Sequence, residues 1–284
     1  MTKTISHELP DFIGIGAMRC GTTWITDQLR SHPEIYVPEH YKEIHFFDRY
    51  FDEGVDWYVA NFSAKAAHQK AGEFTPYYLR DEQALKRMAQ TCPDAKLIVS
   101  IRNPVERAFS HYIFLKNRHD ITSSFYETLF DERFDLLRTG LYGSQIQTCL
   151  RYYPQEKIHV VLFEEIKAEP EKVMTALYEF LGVDSHYIPQ TLAHKSNAKH
   201  GVKSMILARG LRKSKQLIRP FISGREQLMK LGFFKFGKFL NRLNATPVEK
   251  ETMDQQSIEY LKQYYKNDFL LLKSMLGSRV SHWE

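Results

Sequence analysis

The sequence is short of several things, and each shortage narrows what the chain can be. No run of apolar residues approaches the ~18 that a membrane-crossing helix needs. The first twelve residues, MTKTISHELPDF, lack the apolar stretch of a secretory signal. Cysteine is scarce: Cys20, Cys92 and Cys149 lie far apart and form no C-x-x-C pair, which argues against a disulfide framework and against a zinc site. No other cluster at metal-ligand spacing is visible, so no metal is expected. Internal repeats and low-complexity tracts are missing as well. These absences predict a reduced, soluble, cytoplasmic protein. A further absence is local. Residues 12–25, FIGIGAMRCGTTWI, carry the spacing of a phosphate-binding loop: Gly16, four residues, Gly21, then Thr22 and Thr23. The lysine that should follow the second glycine is missing, and Thr22 stands there.

What is present reads as α/β. DFIGIGA is a short apolar, β-branched run, the pattern of a buried strand. TTWITDQLRSHP follows at helical spacing and stops at Pro33. AKLIVSIRNP is a second buried strand closed by Asn103-Pro104, and VERAFSHYIFLKN a helix after it. KIHVVLFEEI is a third strand, EPEKVMTALYEFLG a helix, and SIEYLKQYYKNDFLLLKSMLG a closing amphipathic helix. Strands alternating with helices predict one domain over 1–284, with a central parallel β-sheet flanked by helices on both faces. Charge is uneven. The stretch 199–242 holds twelve Lys and Arg against Glu226 alone, a charge of +11, so the rest of the +5 chain carries −6. This basic segment, 200–245, is expected as a helical lobe or insertion near the C-terminus.

Backbone N–H groups of a glycine loop and of the next helix bind phosphate whatever the side chains are. The lysine normally reaches β- and γ-phosphates, so its loss argues against a nucleoside triphosphate. Arg19 can supply a cation within the loop, with a planar fork suited to tetrahedral oxyanions. A glycine turn without a ligand is the plain alternative. The second strand shifts the balance: SIRNPVERAFSHY puts Arg102 at a strand's C-terminal end and Ser110 on the following helix, where open α/β sheets bind ligands. The pair could clamp a second phosphate. Alone, Arg102 would more often serve as a surface ion-pair partner.

Taken together, GAMRCGTT and IRNPVERAFSHY resemble the two cofactor signatures of sulfotransferases that use 3′-phosphoadenosine 5′-phosphosulfate (PAPS). The first resembles the 5′-phosphosulfate loop and the second the 3′-phosphate site. Further stretches are similar to the carbohydrate branch, which includes heparan sulfate sulfotransferase domains: KEIHFFD at 42–48, GVDWYVANF at 54–62, GEFTPYYL at 72–79 and GLYGSQIQTCLRYYPQEKIHVVLFEEI at 140–166. The closing SHWE is similar to the C-terminus of bacterial members. The resemblance spans roughly 11–200 and resumes near 247. It implies a P-loop-like fold shared with nucleotide kinases, and cofactor contacts from Arg19, Cys20, Gly21, Thr22, Thr23, Trp24, Arg102 and Ser110. HKSNAKHGVKS, 194–204, resembles the loop that closes over the adenosine with a Lys-Gly pair, which implies Lys199 and Gly201. Two positions depart from the pattern. Arg19 stands where the family usually has lysine, so its help to the leaving oxygen must be electrostatic, because arginine stays protonated. Phe74 stands where animal relatives often carry lysine.

The reaction implied is in-line displacement at sulfur, which needs a base at the acceptor and positive donors around the sulfuryl group and leaving phosphate. Glu43 in KEIHFFD matches the family's proposed base. The alternative is a solvated surface glutamate. Its apolar neighbours Ile44, Phe46 and Phe47 predict a packed edge, where a carboxylate's pKa rises. His45 is expected to be structural, hydrogen-bonded among the phenylalanines. Lys42, Glu73 and His119 are secondary candidates near acceptor or leaving group. The acceptor is expected to be a glycan, a glycolipid or a small molecule. The basic, aromatic stretch over 203–242 would meet an anionic acceptor or the periphery of a membrane, or form only a solvated face. No nucleic-acid-binding motif accompanies it. Two rivals stay open at this point: a small-molecule kinase with a degenerate loop, and a phosphonucleotide- or membrane-binding protein without catalysis.

Overall fold

The computed structural model describes residues 9–40, 42–118, 121–189, 192, 200–202, 245–247 and 251–283. The chain divides into two compact units. The larger comprises Met1–Phe114, Thr122–Ser196 and Met253–Glu284, and the smaller Leu115–Ile121 with Asn197–Thr252.

The larger unit is an α/β domain on a five-stranded, all-parallel sheet. In chain order the strands are β1 (Phe12–Gly16), β2 (Ile35–Tyr36), β3 (Lys70–Phe74), β4 (Lys96–Ile101) and β5 (Ile158–Leu162), and in space they run β2-β3-β1-β4-β5. Side chains alternate across each strand. Ile13, Ile15, Leu97, Val99 and Ile101 pack into one core, while Phe12, Ile98 and Val161 pack into the other. The sheet is therefore buried on both faces, as the apolar runs predicted.

Helix α1 (Thr22–Ser31) follows β1, and the short α2 (Phe46–Arg49) and α3 (Val55–Ala60) lie before β3. Helix α4 (Glu82–Thr91) leads to β4, and α5 (Pro104–Arg118) leaves it. Asn103 caps α5 by accepting from Val105 N (3.0 Å) and Glu106 N (3.3 Å), and Pro104 opens the helix where no N–H is needed. Helices α6 (Phe125–Leu129) and α7 (Tyr142–Leu150) precede β5. Past β5 come α8 (Phe163–Ala168), α9 (Pro170–Leu181) and the long α10 (Gln255–Leu276). The start of α7 sits directly on α10: the Asp268 carboxylate accepts from the amides of Gly143 and Ser144, both at 2.8 Å. A Cβ on Gly143 would stand 2.4 Å from the Asp268 carbonyl, so this approach requires glycine.

Two expectations change. The third strand stops at Leu162, and Phe163–Ala168 is helical. The Glu165 carboxylate turns back to accept from Leu162 N at 3.2 Å, which starts a helix where apolar periodicity suggested strand. Strand β3 is new. Its sequence, KAGEF, has no β-branched residue, and it pairs through Phe12↔Gly72 to Gly14↔Phe74. Tertiary pairing overrides propensity there.

In the smaller unit, β6 (His200–Val202) pairs antiparallel with β7 (Ala245–Pro247). Most of the expected basic lobe, 203–244, lies outside the described residues.

Candidate active site

The chain leaves β1 toward one side of the sheet and later crosses to the other at β4, so the β1/β4 crevice is the topological switch point. The loop 17–21 turns there. Gly21 has φ +86 and caps α1, and a Cβ on it would also meet the Phe163 ring at 2.9 Å. Arg19 shares the left-handed region at φ +73. Helix α1 begins with no side-chain cap and no acidic residue in its first turn. Its leading amides, including those of Thr22, Thr23 and Trp24, are thus free of an internal capping group, and the helix dipole adds positive potential. The side chains behind them are structural. Trp24 packs in the core, and the Thr26 hydroxyl donates to the Thr22 carbonyl at 2.7 Å. Cys20 is buried with its thiol 3.5 Å from the Tyr142 hydroxyl, and burial pushes its pKa up to about 11. Of the expected contacts, Cys20 and Trp24 can offer a ligand main chain only.

Cations surround this loop. The Arg19 guanidinium lies 4.6 Å from the centre of the Phe114 ring on α5. Arg107, fully buried, donates to the Leu136 carbonyl, and its Nη1 stands 3.3 Å from His111 Nδ1. Burial, with Arg107, Arg19 and Arg80 nearby, drives the His111 pKa down to about 3, so its imidazole is neutral. Arg102 follows the last residue of β4, stacks 4.8 Å from the Phe163 ring centre and pairs with Glu106 at 2.6 Å. Ser110 is buried on α5, 7% exposed. Arg102 thus stands at the C-terminal end of β4 with a carboxylate on its guanidinium, and Ser110 lies on the helix that follows.

The acidic loop comes next. Glu43 is half-buried and accepts from His45 Nε2 at 3.2 Å. His45 Nδ1 faces Asp48 at 2.9 Å, and hydrogen bonds to Asp48 and Glu43 outweigh burial to raise the His45 pKa to about 9. His45 is therefore an imidazolium between two carboxylates, rather than a ring held among phenylalanines. It sits at φ +58, and its ring centre is 5.2 Å from that of Tyr77. Sequence reasoning passed over Asp48, although its spacing of three from His45 marked it. Lys42 is exposed, with Nζ 3.9 Å from Glu43. Glu73 lies in the core beneath the acidic loop. It is 2% exposed, and burial raises its pKa to about 7. The Phe74 ring packs over Gly14, where a Cβ would meet it at 2.1 Å. Glu43, Lys42, Phe74, Thr22 and Thr23 line one shallow groove, which brings the acidic loop to the start of α1. His119 and Lys199 lie outside the described residues, and Gly201 belongs to β6 of the smaller unit.

Residues 9–273 match the sulfotransferase domain family. The chain belongs to the sulfotransferase family. It is 25% identical over 295 residues to membrane-associated sulfotransferase kil1 of Dictyostelium discoideum, covering 70% of this chain and 62% of that protein. It is 31% identical over 193 residues to heparan sulfate glucosamine 3-O-sulfotransferase 6 of Mus musculus, covering 64% of this chain and 56% of that protein. The matches thus span roughly three-fifths of these relatives' length. A sulfotransferase from Alicyclobacillus acidocaldarius aligns in structure with TM-score 0.72 and 25% identity, covering 97% of this chain and 99% of that one. At the start of α1 this member of the family presents main-chain donors with arginines nearby. Among the described residues no three His, Cys, Asp or Glu are grouped to hold a metal ion, and no helix is long and apolar enough to cross a membrane.

Proposed function

We propose that the protein transfers a sulfuryl group from PAPS to a hydroxyl or amine of a carbohydrate or glycolipid acceptor, with Glu43 as general base. The observation that carries this reading is the shared groove: Glu43 opens onto the same depression as Thr22 and Thr23 at the start of α1. A phosphosulfate seated on the α1 amides would present its sulfur toward the groove, and an acceptor in the groove would approach from the Glu43 side. The acceptor proton passes to the Glu43 carboxylate as the new S–O or S–N bond forms. The bond from sulfur to the bridging oxygen breaks, and its electron pair leaves with the 5′-phosphate. Arg19 and the α1 dipole stabilise that developing charge, a term worth several kcal/mol in a preorganised site. Arg102 and Ser110 hold the 3′-phosphate once Glu106 yields its place on the guanidinium. The carbohydrate class is supported by the named specificity of the heparan sulfate relatives and by the +11 charge of 199–242, which would attract an anionic glycan or an anionic lipid surface.

Thermal-shift titration in EDTA tests the cofactor. Adenosine 3′,5′-bisphosphate should stabilise the protein without magnesium, and ATP with magnesium should do so far less. Equal stabilisation by ATP, or a strict need for a divalent ion, would turn the reading toward a kinase. Transfer of labelled sulfate to a panel of glycans and glycolipids tests the reaction. Nucleotide binding without transfer to any acceptor would leave a phosphonucleotide-binding protein.

A further inference from the structure

The loop that carries Glu43 hangs from a carboxylate thirty residues downstream. Glu73 Oε2 accepts from the Thr75 hydroxyl at 2.6 Å, and Oε1 accepts from the hydroxyls of Tyr78 at 3.1 Å and Tyr58 at 3.2 Å. Two of these hydroxyls turn their lone pairs to the acidic loop. Thr75 Oγ1 accepts from Ile44 N at 3.1 Å and His45 N at 3.3 Å, and the Tyr78 oxygen accepts from Phe47 N at 3.4 Å. All these groups are buried.

The direction of each bond follows from the carboxylate. An ionised Glu73 has no proton to give, so each hydroxyl touching it must point its single proton toward it. The hydroxyl lone pairs are then left for the loop amides. An amide or a protonated carboxyl in place of the carboxylate must itself donate to one of these oxygens. That oxygen loses a lone pair or must turn its proton, and a loop amide goes unpaired away from water, at a cost of about 1–3 kcal/mol. The strand that brings Glu73 here, β3, thereby fixes the main chain immediately after Glu43.

We propose that Glu73 is a positioning residue for sulfuryl transfer, orienting Glu43 through the Thr75 and Tyr78 hydroxyls. This rests on the reading of Glu43 as the base. The titratable groups that face Glu73 are Tyr58 from α3, Tyr78 from the turn after β3, and Cys92 at the end of α4. None supplies a positive charge, so burial dominates and Glu73 titrates near 7. The loop is therefore held best above that pH.

Three variants of the full chain test this: Glu73→Gln, Thr75→Val, which keeps shape and deletes the hydroxyl, and Thr75→Ser, which keeps the hydroxyl. Two readouts are needed: hydrogen exchange of the amides in 44–47, and kcat with the KM for PAPS. Thr75→Val and Glu73→Gln should each speed that exchange and lower kcat by about tenfold, the equivalent of one net hydrogen bond. The KM for PAPS should stay within about twofold, because the α1 cradle is untouched. Thr75→Ser should restore both readouts. The double variant should fall little below the worse single one, since both act through one chain of bonds. The wild type should lose kcat as pH drops through about 7, and Glu73→Gln should lack that limb. Unchanged exchange in Thr75→Val, or faster exchange with unchanged kcat, overturns the proposal while leaving Glu43 as the base. Near-normal turnover in Glu43→Gln would instead overturn the base, and with it the catalytic consequence, yet leave the exchange effect in place. If Glu73→Gln does not fold, the Thr75 pair decides.

Discussion

The proposed phosphate cradle and the acidic loop meet at one groove, through the start of α1 and Glu43, and are built in opposite ways. The cradle is main chain: Gly21 and Arg19 in the left-handed region, the uncapped start of α1, and arginines stacked on Phe114 and Phe163. Its amide donors tolerate side-chain change as long as the turn forms, and its arginines are the part that a substitution removes. The acidic loop is side chain: Glu43, His45 and Asp48 in a row, with the backbone pinned by Thr75 and Tyr78 under Glu73. Anion binding by amides survives most substitutions, whereas the proposed base, held by a chain of hydroxyls, would depend on each member. The difference predicts that changes in the loop alter turnover, and changes in the cradle alter nucleotide affinity.

The largest effect should separate the two regions outright. Glu43→Gln keeps the shape and the acceptor oxygen facing His45 but cannot take a proton at neutral pH. It should cut kcat by roughly 10²–10⁴, the usual contribution of a general base, and leave the affinity for adenosine 3′,5′-bisphosphate within about twofold. Calorimetry beside steady-state kinetics checks both halves. A parallel loss of affinity would mean that the loop and the cradle are one unit.

The cradle should show the converse. Arg102→Ala and Ser110→Ala should weaken adenosine 3′,5′-bisphosphate binding by about ten- to a hundredfold, the worth of one charge-assisted hydrogen bond. They should do much less to a nucleotide without the 3′-phosphate. Competition between the two nucleotides reads this. If both variants keep the wild-type preference, the second anion site lies elsewhere. Glu106 occupies the Arg102 guanidinium at 2.6 Å, so the proposed 3′-phosphate would have to displace it.

Legibility in the sequence follows the same division. A glycine spacing between a strand and a helix states where amides converge, and Asn103-Pro104 states where α5 starts, so β1, α1, β4 and α5 could all be found from local pattern. Glu73 is marked only through the resemblance of GEFTPYYL, as a secondary candidate near acceptor or leaving group, and no local pattern shows its burial. Its strand has no β-branched residue, and a glutamate in such a segment reads as solvated until β1 is known to lie beside it. The apolar neighbours of Glu43 suggested that burial would act on Glu43 itself. Ile44, Phe46 and Phe47 turn inward to a core beside Glu73, whose carboxylate pKa burial raises. The strand-to-helix change at Phe163 was hidden for a related reason: LFEEI is apolar at both periods until the Glu165 carboxylate caps the turn. The residues around Lys199 and most of the basic segment lie outside the described residues, so their part in the site rests on the sequence alone.

The smallest effect expected is on stability, and it tests whether the acidic loop is held by charge as well as by hydroxyls. His45 lies between Glu43 at 3.2 Å and Asp48 at 2.9 Å, with its pKa raised to about 9. In the unfolded chain it titrates near 6.5. A base whose pKa is higher in the folded state stabilises that state wherever both forms are protonated, and loses the contribution as pH climbs through the folded value. The stabilisation is thus complete below pH 6.5 and lost by the time pH has passed about 9. His45→Asn is the variant to use. Asparagine tolerates the left-handed backbone that His45 occupies at φ +58, so the turn should not strain, and its amide does not titrate. Denaturant unfolding should find the wild type more stable than His45→Asn by about 1–2 kcal/mol at pH 6, a charge-assisted contribution discounted for partial exposure. The gap should close as pH rises from 6.5 past 9. A gap that stays constant across that range would show that His45 acts through neutral hydrogen bonds alone. The loop would then be held by Thr75 and Tyr78 without help from the charge between its carboxylates.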